Sequence, residues 1–232
     1  MKAEPLGRND IMEMVRYTLP LALNLLIGTV LVTWQALLIR QRLPEVESAG
    51  YYIISRLAEV AAYAGMSLLV VVFPLATEAR ENGVRGNGLL WRLLGGTVLP
   101  GLAVTAIFAV CGRWLLGAVP LWRDYVCYAP LLTLYTLRLV LATAIGAFTT
   151  YEIAAGRFSF LWYCIPFGLI ETGTLIILTG YGIFCGILPD GIVNWMASLN
   201  AARLDFFVWW FLGCSTVQML VVLGHVLLRG KT

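Results

Sequence analysis

Between Phe158 and Gly180 the sequence carries a single ionised side chain, Glu171, in an otherwise apolar run. A helix rises about 1.5 Å per residue, so a run of this length can cross a hydrocarbon core about 30 Å thick. Comparable runs occupy Val15–Ile39, Leu57–Thr77, Leu93–Gly112, Tyr125–Thr150 and Leu204–Leu228. Inside lipid every backbone N–H and C=O must bond within the protein, which leaves helices or closed barrels. These runs are too long and too continuously apolar for barrel strands of about 9–11 residues. Composition agrees: 60% of the 232 residues are hydrophobic and 12% are charged, where a soluble domain carries about 25% charged residues. The expected fold is all-α, a polytopic integral membrane bundle of about six transmembrane helices. Residues 1–14 form a polar N-terminal segment with no signal-peptide pattern, and 15–232 form a single transmembrane bundle.

Loop charges set an expected orientation. With six crossings, Lys2, Arg8, Arg16, Arg80, Arg85, Arg92, Arg157, Arg229 and Lys231 share one side. Arg40, Arg42, Arg56, Arg113, Arg123 and Arg203 share the other. The larger group places both termini, with segment 1–14, in the cytoplasm. Trp91, Trp114, Trp122, Trp162, Trp209 and Trp210 fall near the proposed span ends, where amphipathic rings settle.

Between the fifth and sixth runs lies PDGIVNWMASLNAARLD. Asp190 can cap a helix start, and Ile192, Trp195, Met196 and Leu199 recur with helical spacing. A short interfacial amphipathic helix is expected near 190–203.

Several chemistries lack their residues. Cys111, Cys127, Cys164, Cys185 and Cys214 are scattered singly, so a metal or disulfide framework is not expected. His225 is the sole histidine, and the phosphate-loop, zinc-protease and serine-hydrolase motifs are missing. No enzyme activity, cofactor or metal site is expected, and no nucleic-acid partner. Membrane lipids are the expected surroundings.

Charge at bilayer depth costs about 2.5–3.5 kcal/mol on insertion scales, so it marks a partner or a wet cavity. Arg138 stands midway along the fourth run, in TLYTLRLVLATAIG, and Glu171 midway along the fifth, in PFGLIETGTLIIL. A short turn near Tyr151–Arg157 joins the runs, which puts both charges at about the same depth, roughly 18–20 Å from one face. They are expected either to pair directly or to share a polar cavity. Arg56 and Glu59 are three residues apart near one end of the second run and can pair on one helix face. Asn24 and Gln35 lie about three turns apart on the first run and so share a face.

The stretch YTLPLALNLLIGTVLVTWQALLI, followed by SAGYYIISRLAEV and LLVVVFPLATEARENG, resembles the start of one half of a flippase of the MOP (multidrug/oligosaccharidyl-lipid/polysaccharide) superfamily. Gly50-Tyr51 before the second helix and Phe73-Pro74 near its end carry the likeness. So does a later turn built from Tyr151, Ala155, Gly156 and Arg157. The resemblance covers roughly residues 11–180. It implies a bacterial inner-membrane transporter for a polyprenyl-diphosphate-linked glycan or polysaccharide, working by alternating access between two helical bundles. About six helices make one bundle, which implies a homodimer or a second membrane subunit. The alternative is a non-transporting structural or assembly subunit of a larger membrane complex. On the transporter reading, Arg138, Glu171, Arg56, Glu59, Gln35 and Asn24 are the candidate substrate-cavity residues.

Overall fold

The computed structural model describes residues 43–81, 87–158, 160–179 and 204–229, with single positions between 12 and 40. Among the described residues the α-helices bounded at both ends are, in order, α1 Glu45–Glu81, α2 Asn87–Ala118, α3 Ala129–Ala154, α4 Leu161–Thr179 and α5 Leu204–Arg229. A 3-10 segment, Pro120–Tyr128, leads into α3. Among the described residues, three stretches are long and apolar enough to cross a membrane: Gly88–Ala118, Pro120–Ala154 and Leu204–Leu227. The expected interfacial helix near 190–203 and most of the first expected span lie outside the described residues.

Two of these helices, α1 and α2, run past the apolar stretches that announced them at both ends. The second apolar run began at Leu57, yet α1 starts at Glu45 and carries Arg56 and Glu59 within its 37 residues. Hydropathy marks what lipid accepts, and a helix continues into water for as long as its backbone bonds are met. Pro130 falls in the first turn of α3, where no N–H would have found an intrahelical partner anyway. Pro74, Pro100 and Pro166 lie inside helices.

The core sits around α3, which packs against α1, α2 and α5. Two buried clusters lie along it. The first joins Ile39, Tyr51, Ile54 and Ala58 to Phe108, Leu132, Tyr135, Phe207, Val208 and Phe211. The second joins Leu90 and Leu94 to Ala144, Ala147, Phe148, Val222 and Val226. Residue order along the clusters shows α5 parallel to α3 and α2 antiparallel to it. Gly65 of α1 approaches Thr143 of α3, so α1 is also parallel to α3.

Small residues make this closeness possible. A Cβ on Gly65 would stand 2.7 Å from the carbonyl oxygen of Thr97, and one on Gly101 would stand 2.6 Å from Val140 Cγ2. The first contact draws α1 onto α2, the second α2 onto α3. Thr105, Thr136 and Thr143 return their hydroxyls to carbonyls one turn back, so their polar atoms need no outside partner.

The turn after α3 is closed by Gly156 at φ 70. Gly156 N–H donates to Ile153 O at 2.9 Å and Arg157 N–H to Glu152 O at 2.8 Å, the paired bonds of a Schellman motif. At the opposite end, Leu204 N–H donates 2.9 Å to Glu47 Oε2, so an acid of α1 caps the start of α5.

Candidate functional site: a buried arginine cluster

Arg138 lies on α3 between the two apolar clusters and is 5% exposed. Helices packed around α3 withdraw this residue from lipid. Its guanidinium meets Glu171 of α4, with Nη2 to Oε1 at 2.9 Å. The same Nη2 donates to Gln35 Oε1 at 3.0 Å, and Gln35 Nε2 donates to Glu171 Oε1 at 3.1 Å. The three side chains close a ring. Gln35 fits it in one orientation, amide oxygen toward the cation and NH2 toward the carboxylate; the reverse would set like partial charges together.

Aromatic groups complete the surroundings. Arg138 Nη1 donates to Tyr135 Oη at 3.3 Å. The Tyr135 hydroxyl bonds the Tyr51 hydroxyl at 3.0 Å, and the two rings meet edge to face. The guanidinium carbon stands 5.4 Å from the Tyr135 ring centre and 4.8 Å from that of Phe211. An aromatic face attracts a cation and is worth more when both are dry. Arg138 is therefore held by α4, by Gln35 of the first apolar run, by α5 and by its own helix together.

The holding is incomplete. Arg138 Nε is buried and has no hydrogen-bond partner among the described residues. One carboxylate oxygen, Glu171 Oε1, accepts from both Arg138 and Gln35. The Glu171 side chain keeps 12% exposure against 6% for that of Arg138. A buried donor left unmade costs about 1–3 kcal/mol, and more beside a charge. Among the described residues Arg138 is the sole buried cation.

The other candidates fall elsewhere. Arg56 and Glu59 pair at 3.0 Å on an exposed face of α1, where Arg56 also covers the Tyr52 ring. Helical spacing explains the separation: Tyr51, Ile54, Ala58 and Ala61 take the buried stripe, and Arg56 is carried to the outer side. The structure does not bring this pair into the Arg138 cluster. Asn24 lies outside the described residues.

Sequence reasoning missed Tyr51 and Phe211 as members of the cluster. Tyr135 carried a usable signal, since it precedes Arg138 by three residues and shares its face. Glu152 was also missed. It is 2% exposed at the end of α3 and stands 3.8 Å from Arg157 Nη1. Among the described residues no group of three or more His, Cys, Asp or Glu side chains could hold a metal ion. The ring instead offers a fixed positive charge, one unpartnered donor at Arg138 Nε and a single carboxylate counterion.

No family model, curated protein or solved structure matches this chain.

Proposed function

We propose that the chain is a half-size, flippase-like transporter of a polyprenyl-diphosphate-linked glycan or polysaccharide in a bacterial inner membrane. It acts as a homodimer or with a second membrane subunit, crosses the membrane six times and keeps both termini in the cytoplasm. The observation that carries the reading is the buried, partly satisfied Arg138 at mid-helix. A phosphate oxygen is the partner a spare guanidinium donor suits best. Glu171 and Gln35 hold that charge while the site is empty. The parallel α1, α3 and α5, with α2 antiparallel, favour alternate crossings. The motif likeness to MOP flippases supplies the substrate class. Arg56 and Glu59 belong to the outer face of α1 on this reading, and the ring of Arg138, Glu171 and Gln35 is the working site.

The second reading, a structural or assembly subunit, is favoured by the direct ion pair, which neutralises itself without a ligand. One experiment separates them. A buried ion pair can often be replaced by apolar residues of like volume without loss of stability. The double variant Arg138→Met with Glu171→Leu is therefore expected to fold. A transporter so altered loses glycan export in cells while its abundance holds. Export at the wild-type rate from that variant would favour the structural subunit.

A further inference from the structure

The ion pair on the outer face of α1 lies deeper than apolar length alone suggests. Leu204 N–H bonds the Glu47 carboxylate, so Glu47 is about level with the start of the apolar stretch Leu204–Leu227. α1 and α5 both run parallel to α3, so depth on one can be read along the other. The stretch holds 24 residues, about 36 Å, and its middle lies about 18 Å past Glu47. Arg56 and Glu59 stand about 14 and 18 Å past Glu47 along α1. α3 gives the same level. The bond from Tyr51 to Tyr135 and the approach of Gly65 to Thr143 set the register, and Arg56 then falls at the height of Arg138. Yet the pair points away from the bundle, with 58% of the Arg56 side chain and 30% of that of Glu59 exposed. Charge turned toward acyl chains at this depth is costly and calls for a polar partner. Snorkelling does not relieve it, because the guanidinium reaches to Glu59, one turn further from the nearer surface.

The neighbours of the pair share one spacing. Tyr52, Arg56, Glu59, Tyr63 and Met66 follow at alternate steps of four and three, the seam along which two helices pack side by side. Whatever covers this seam must bring opposite charges at the same height. A second copy inserted with the same sidedness meets that condition, since a twofold axis along the membrane normal sets each residue level with its duplicate. Arg56 and Glu59 are one turn apart, so each cation comes within reach of the other copy's anion. Arg56 makes both bonds to its own Glu59 through Nη1, and the planar fork of a guanidinium can serve a second carboxylate. We infer that the chain forms a parallel homodimer through the outer face of α1, with Arg56 of each copy paired to Glu59 of both. The four charges then close a ring of zero net charge, and the tyrosines pack above and below it. This rests on the proposed reading of the chain as a membrane-crossing homodimer and names its interface; it does not depend on what the Arg138 ring binds.

Two experiments on the full chain in the membranes of expressing cells test it. In the first, the five native cysteines are changed to alanine and a single cysteine is introduced. Tyr52→Cys and Tyr63→Cys probe the seam. Leu99→Cys is the control, exposed on α2 and two residues from the Gly101 contact with Val140, hence at a similar depth. Oxidation with copper phenanthroline is expected to link both seam variants into a product of twice the chain's mass and to leave the control monomeric. In the second, Arg56→Glu and Glu59→Arg each set four like charges together across the seam. Each is expected to capture a differently tagged copy of itself about tenfold less well than the wild-type chain does. Co-expressed, the two are expected to capture each other at the wild-type level, because an acidic face then meets a basic one.

Circular dichroism and abundance in the membrane report whether the charge variants fold; where they do not, the cysteine series decides alone. A linked product from Leu99→Cys as strong as from the seam variants overturns the inference. A seam product of another mass also overturns it and identifies a second subunit as the occupant, and monomer in every variant overturns it outright. Mixed capture that stays weak while both charge variants fold removes the pairing of Arg56 with the other copy's Glu59. The anion site is judged separately, by export from the Arg138→Met, Glu171→Leu chain, so the two can fail independently.

Discussion

At the scale of single residues, the chain tolerates Arg138 in its interior because several partners share its charge. Removing one partner is costlier than removing the pair, since it leaves a buried ion alone. Glu171→Leu is expected to lower stability by about 3–5 kcal/mol, and adding Arg138→Met to recover most of that loss. Denaturation midpoints in detergent, set out as a double-mutant cycle, check the coupling. The tyrosines give a finer ranking. Tyr135→Phe keeps the ring over the guanidinium but removes the hydroxyl that bonds both Arg138 and Tyr51. A loss of about 1–3 kcal/mol is expected, with Tyr51→Phe costing less because it breaks only the bond between hydroxyls. A reversed order in the same assay would contradict the network. Arg138, Glu171 and Gln35 were legible in the sequence because polar groups in apolar runs are rare and must be answered. Phe211 was not legible: an aromatic residue in an apolar helix looks alike whether it faces lipid or a cation.

At the scale of helices, packing depends on where backbones can approach. Gly65 and Gly101 both admit a neighbour, but the neighbours differ. A methyl at Gly65 meets the carbonyl oxygen of Thr97, which cannot rotate away, whereas one at Gly101 meets the side chain of Val140. Gly65→Ala is therefore expected to destabilise by about 1–3 kcal/mol without rescue. Gly101→Ala is expected to be restored by Val140→Ala, and thermal unfolding of the single and paired variants distinguishes the sites. The capping acid offers a milder case. Glu47→Gln keeps an acceptor for Leu204 N–H but removes the charge at the start of α5, for an expected loss of about 0.3–1 kcal/mol that shrinks in high salt. Helix existence was legible from apolar length, while helix ends were not. The extra turns of α1 and α2 lie beyond the hydrocarbon signal and are fixed by packing, as in the contacts of Leu90 with α3 and Tyr51 with Tyr135. The turn at Gly156 could be anticipated, because a glycine followed by a basic residue after a long apolar helix suits a left-handed cap.

For the whole molecule, the loop charges carry only an expected sidedness, and the packing turns that expectation into a test. Arg123, Asp124 and Cys127 stand exposed in the 3-10 segment that leads into α3. Cys214 instead lies partly buried on α5, close enough to feel the charges of Glu171 and Arg138. A maleimide reacts with the thiolate, which forms readily in water and poorly in an apolar interior. On the proposed orientation, with both termini cytoplasmic, the 3-10 segment that bears Cys127 and precedes α3 faces outward. Two single-cysteine chains, the other cysteines changed to alanine, are treated in intact cells with a maleimide that cannot cross membranes. The chain keeping Cys127 is expected to label quickly. The chain keeping Cys214 is expected to label only after the membrane is opened with detergent. Labelling of Cys127 that requires broken cells would reverse the orientation drawn from the loop arginines. Labelling in neither condition would place segment 120–128 in hydrocarbon. Rapid labelling of Cys214 from outside would reveal a water path reaching the Arg138 ring, and with it the route an anion would follow.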